Sequence, residues 1–160
     1  FVDNAGLVLL NPFLPTLFKH MELIGNDGKL LDRELAAAIL HYAATGREGD
    51  YEFEMTFEKY LCGIPPLTPL SREIKLSDAQ KEEINKMLGA ALKHWNALKS
   101  GSPALLQNEF LKRPGKLIFE KANHRLVIEK KTFDLLLDKL PWSYSVIKFS
   151  WLKELIFVEW

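Results

Sequence analysis

The apolar residues of this 160-residue chain change their spacing once, at Pro114-Gly115. Before that point they recur with a helical period of about 3.6 residues; after it they fall on about every second residue. A helical stripe and an alternating face each bury one side, so the two parts must pack as helices against a small sheet. The chain is therefore expected to be α+β: a mostly helical N-terminal two-thirds, then a β-hairpin, a short helix and C-terminal strands forming a small antiparallel sheet. Residues 1–160 are expected to form a single domain, since no Gly/Ser-rich linker divides them.

Within the helical part, residues 7–24 are apolar, but Pro12 and Pro15 interrupt them. Proline lacks the amide donor a helix interior needs, which places the first continuous helix near Pro15. Gly25-Asn26-Asp27-Gly28 reads as a turn. Asp32 is placed to cap a helix through Leu35, Ala36, Ile39, Leu40 and Ala43 that stops at Gly46. Phe53, Phe57, Tyr60 and Leu61 keep helical spacing over 52–61, although the alternation in 51–57 also fits a strand. Ser77 and Gln80 form a capping box for the longest predicted helix, 78–99, whose stripe is Ile84, Met87, Leu88, Ala91, Trp95 and Leu98. Ser102-Pro103 opens a further helix with Leu105, Leu106, Phe110 and Leu111.

Past Gly115, Leu117 and Phe119 alternate with Ile118 and Glu120, and Leu126 and Ile128 with Val127 and Glu129. Lys121-Ala122-Asn123-His124 between them predicts a hairpin. Residues 132–140 predict a short helix with Phe133, Leu136, Leu137 and Leu140 inward, ended by Pro141. Short strands are expected at 145–149 and 155–159.

Several kinds of chemistry find no support. His20, His41, His94 and His124 share no metal-ligand spacing, and the single Cys62 excludes an internal disulfide and fits a small apolar core residue. No phosphate loop, dinucleotide fingerprint or nucleophile elbow occurs. No catalytic group, metal site or cofactor is expected. No apolar run approaches the roughly 20 residues that span a bilayer.

Charge is more informative. Lys+Arg 21 equals Asp+Glu 21, yet residues 1–80 hold 7 cations against 12 anions and residues 81–160 hold 14 against 9. Much of the positive excess gathers on Lys112, Arg113, Lys116, Lys121, Arg125, Lys130 and Lys131. A basic hairpin after two helices resembles winged-helix nucleic-acid binders in outline, and equally a lysine-protected sheet edge. A second patch is aromatic. Trp142, Trp151, Phe157 and Trp160 close the chain, either as core or as a docking surface, because tryptophan clusters are common hot spots.

Several stretches carry a further resemblance. Asn4-Ala5-Gly6-Leu7-Val8-Leu9-Leu10 with Pro12-Phe13-Leu14-Pro15, then Leu61-Cys62-Gly63-Ile64-Pro65, and His94-Trp95 are followed by Phe110-Leu111-Lys112-Arg113, Leu140-Pro141-Trp142 and Phe157-Val158-Glu159-Trp160. In this order they resemble the C-terminal region of contractile injection system tape measure proteins. Asn11, Ser150 and Leu155 depart from that pattern, standing where His, Pro and Pro are expected.

The resemblance implies a structural, assembly role in a bacterial, phage-tail-like particle. The long protein would occupy the inner tube and help set its length, with this segment docking to a spike or hub component at the tube end. It implies protein partners of the inner tube, spike or hub, no nucleic acid and no membrane segment, and leaves oligomerisation open. Assembly in the cytoplasm and later residence inside the particle follow from the same resemblance. With Phe1 in place of Met, the chain is expected to be a C-terminal fragment of a longer one. The alternatives from the residues alone are a winged-helix-like nucleic-acid-binding module or a generic protein-interaction module.

Overall fold

The computed structural model of the chain describes residues 1–49, 52–71 and 74–160. A 3-10 helix, Ala5–Leu10, comes first, followed by α1 (Leu14–His20) and α2 (Arg33–Thr45). A 3-10 turn at Glu52–Met55 leads into α3 (Thr56–Leu61), so the described part of 51–57 is helical; Tyr51 lies outside the described residues. Then come α4 (Asp78–His94), a 3-10 turn Asn96–Leu98, α5 (Pro103–Leu106) and a π-helical turn Gln107–Leu111. The last third holds β1 (Gly115–Phe119), β2 (His124–Ile128), a 3-10 helix Thr132–Lys139, β3 (Val146–Ile147) and β4 (Ile156–Glu159). The fold is α+β.

Local chemistry sets most boundaries. The Asp32 carboxylate accepts the Leu35 amide at 3.0 Å to start α2, and Gly46 ends that helix at φ 70°. Ser77 and Gln80 satisfy each other's amides at 3.1 and 2.9 Å and start α4. The predicted helix 78–99 stops early. At Trp95 the backbone leaves helical geometry (φ −92°, ψ 88°), and its buried indole donates to the Leu136 carbonyl at 3.0 Å.

The segment 132–139 coils with about three residues per turn rather than 3.6. Asp134, Leu137 and Leu140 therefore turn inward together, whereas Phe133 is 48% exposed and not inward as expected.

The sheet order is β1-β2-β4-β3. β1 and β2 form the expected antiparallel hairpin, with Leu117 opposite Leu126, and β3 pairs antiparallel with β4. The sheet is nevertheless mixed rather than antiparallel throughout, because β4 runs parallel to β2, placing Ile156 beside His124. A parallel pair needs a crossover of roughly a dozen residues or more, and the long connection 129–155 supplies it. Leu126, Ile128, Ile147 and Ile156 are buried on the helix side. Ile118, Arg125, Phe157 and Val146 form a row on the outer face.

All six residues of the first 3-10 helix are buried, between α2, the π-turn and β2. Val2 exchanges two backbone hydrogen bonds with Gly115, at 2.8 and 3.0 Å, and Ala5 donates to the Arg113 carbonyl at 2.8 Å. Gly6 lies so close to the π-turn that a Cβ there would sit 1.8 Å from the Phe110 carbonyl oxygen. That obstacle is backbone, so no side-chain rotation relieves it. Gly6→Ala is expected to cost about 3 kcal/mol in denaturant unfolding, the upper range for overpacking. Gly89→Ala, where a Cβ meets nothing within 4 Å on α4, should instead gain about 0.5–1 kcal/mol from helix propensity. Equal effects at the two positions would contradict the packing described.

Candidate functional site

The aromatic tail, 141–160, crosses the molecule and is held by its indoles. Trp142 Nε1 donates to the Leu9 carbonyl at 2.8 Å, with its ring edge-on to Phe13. Trp151 Nε1 donates to the Leu61 carbonyl at 2.8 Å, with its ring against Phe18 and stacked on Phe149 at 4.5 Å. Trp160 Nε1 donates to Asp134 Oδ2 at 3.0 Å. A buried indole N–H needs a partner, and each of the three finds one inside the fold. Of the four aromatic candidates, Phe157 differs: its ring is 39% exposed on the outer face, in the same row as Val146 at 45%.

Trp160 closes on a built site. Arg113 is 2% exposed; it donates to Asp134 Oδ2 at 2.9 Å and to the carbonyls of Glu129 and Glu109, and its other terminal nitrogen lies 2.8 Å from Asp134 Oδ1 as an ion pair. Its guanidinium also lies 5.3 Å from the Trp160 ring centroid and 5.9 Å from that of Phe110. Partial burial pulls the Asp134 carboxyl up, but hydrogen bonds from Arg113, the Lys131 amide and Trp160 outweigh it and hold the group below its ordinary value.

The seven cations of the predicted basic patch therefore separate. Arg113 is interior. Arg125 is paired with Glu120 and Glu159, both at 2.9 Å. Lys112 donates to Asn108, and Lys116 lies 5.9 Å from the Phe1 ring centroid. Lys121, Lys130 and Lys131 remain exposed, with no side-chain ion pair among the described residues.

A buried polar group escaped the reading of the sequence. Glu58 is fully buried in α3, and its Oε1 contacts Asn4 Nδ2 and His41 Nδ1, each at 2.7 Å. The neighbouring Cys62 thiol is pushed up by burial and by the Glu58 charge. A glutamate inside an apolar aromatic stripe was the available signal. Among the described residues, no group of three His, Cys, Asp or Glu could hold a metal ion.

A family model described as contractile injection system tape measure protein matches residues 1–160, the whole chain. The chain belongs to that family. No curated protein and no solved structure matches it significantly.

The tape measure motifs named above turn out to be halves of one clasp. The Asn4–Leu10 stretch receives Trp142 on its Leu9 carbonyl, the turn at Leu61-Cys62-Gly63 receives Trp151, and Arg113 receives Trp160. The departures also have contacts. Asn11 Nδ2 donates to the carbonyls of Val8 and Ser143, both at 2.9 Å, and Ser150 donates to the Gly28 carbonyl at 2.8 Å.

The Asp134 contacts fix how the clasp responds to acid. Its folded value lies below the unfolded one, so the stabilisation is complete above about pH 4 and drains away as pH falls through the lower folded value. Asp134→Asn strands the buried Arg113 charge and is expected to cost about 3 kcal/mol at pH 7. The native and variant stabilities should converge as pH falls below 4. A constant gap down to pH 2 in chemical denaturation, or an unchanged Trp160 indole N–H resonance in the variant, would be inconsistent with this arrangement.

Proposed function

We propose that this domain is a folded end of a tape measure that docks to a protein component of the tube, spike or hub at one end of the inner tube. Family membership makes the role structural; the surface arrangement supports where docking occurs. The observation that carries the reading is the contrast in the tail. Trp142, Trp151 and Trp160 spend their polar atoms on the fold, while Phe157 and Val146 face outward, and Lys121, Lys130 and Lys131 are exposed with no ion pair among the described residues.

An apolar centre with a charged rim is the usual layout of a protein interface. In this reading the tryptophans hold the tail rigid, Phe157 and Val146 form the anchor, and Lys121, Lys130 and Lys131 steer an acidic partner. Steering of that kind weakens as salt screens exposed charge. A compact chain of this length has a radius of gyration of about 15 Å, bulky for a narrow lumen, which favours the tube end over its middle. Cytoplasmic assembly followed by residence in the particle belongs to the same proposal, and no described helix is long and apolar enough to cross a membrane.

The test is particle assembly in cells carrying Phe157→Glu, or Lys121, Lys130 and Lys131 together changed to Glu. Both variants should keep the native Tm, because the Phe157 ring is part-exposed and the lysines lie on the surface. Both should reduce intact particles at least tenfold by electron microscopy and lose the domain from purified tubes. Normal numbers of tubes of normal length, with the variant domain retained, would refute the docking surface. A Trp160→Ala variant serves as contrast, since it should lower Tm before it affects assembly.

A further inference from the structure

The outer edge of β1 carries unpaired backbone groups in a defined register. Gly115 points its N–H and C=O away from β2, where both bond to Val2. By strand alternation the N–H and C=O of Leu117 and Phe119 point the same way. Neither meets a backbone partner on that side among the described residues. At the far end the Phe119 ring is 62% exposed, though it packs edge-on to His124 at 4.9 Å and to Tyr60 at 5.9 Å.

The lane beside this edge is already entered. Val2 pairs antiparallel with Gly115, which sets Phe1 opposite Lys116. The Lys116 ammonium indeed lies 5.9 Å from the Phe1 ring centroid, the contact expected of cross-strand neighbours. Phe1 is 99% exposed, so its side chain lies against open space rather than folding back onto the body.

We infer that β1 accepts an added strand, and that its occupant is the stretch of this same chain joined to the amino group of Phe1. It runs antiparallel to β1 in line with Val2. In that register the first residue before Phe1 lies opposite Leu117, and the third lies opposite Phe119. Both exchange backbone hydrogen bonds with their partners, and both face the Tyr60 side, where the third covers the Phe119 ring. A strand from another molecule entering antiparallel would collide end-on with Phe1, so the chain's own continuation is the better fit. The inference stands whether or not the docking surface on the outer face is correct.

Amide hydrogen exchange tests it, comparing the protein of the complete reading frame with the 160-residue chain. The amides of Leu117 and Phe119 should exchange at least tenfold more slowly in the longer protein, with Val127 unchanged as an internal reference. Leu117→Pro removes the outward N–H and no hydrogen bond to β2, together with a half-buried side chain; in the longer protein it should return Phe119 to the rate of the shorter chain, and Val127, unchanged, reports that the sheet is kept. Equal rates in the two proteins overturn the inference. So does proline at the first or third position before Phe1, or fewer than three residues there. Slowing that depends on protein concentration in the shorter chain assigns the edge to a second copy and overturns the occupant named.

Discussion

A six-residue helix buried on every side organises this domain. Ala5–Leu10 has no solvent-facing stripe, so each of its surfaces must be matched by a different neighbour. Gly6 lets the π-turn backbone approach, and Ala5 packs where Gly115 has no side chain. Asn4, in left-handed backbone geometry at φ 58°, delivers its amide to Glu58 and so ties the entry of the helix to α3 and α2. A fully buried carboxylate is costly unless well partnered, which makes that junction intolerant of change. The sheet, the helices and the tail are assembled around one short rod.

The tail then fastens the assembly from outside. Each indole joins a late residue to a carbonyl or carboxylate far earlier or across the fold, and each such hydrogen bond contributes about 1 kcal/mol beyond the burial of its ring. The polar ends of the tryptophans are committed inside the fold, and the outer sheet face carries instead the row Ile118, Arg125, Phe157 and Val146. In the docking proposal, holding the shape and meeting a partner fall to different side chains of the same twenty residues.

How much could be read from the chain alone follows the range of the interactions. Caps at Asp32, Ser77 and Ser102 act over three residues, so their helices were legible. The hairpin was legible from alternation over 117–129. The parallel pairing of β2 with β4 was not, since nothing local distinguishes it from a second hairpin. Phe133 was assigned inward on a 3.6-residue period that a 3-10 helix does not keep. Arg113 looked like a member of a basic patch, and only the approach of Asp134 and Trp160 shows it as interior. The tail aromatics were visible as a group, but which atoms they offer outward depends on partners 26 to 133 residues away, the farthest being Leu9 for Trp142.

The central position of Ala5–Leu10 has a mechanical consequence. Tension applied at Phe1 passes through a single residue pair, Val2 with Gly115, and then directly into the core. Once that edge pairing has parted, no described element lies in the path to peel away ahead of the core. Yielding therefore requires the core itself to open, and the load the domain bears is set by its unfolding rate rather than by the weakest surface contact. A module built this way behaves as a stop on a cord: it holds fully or lets go at once.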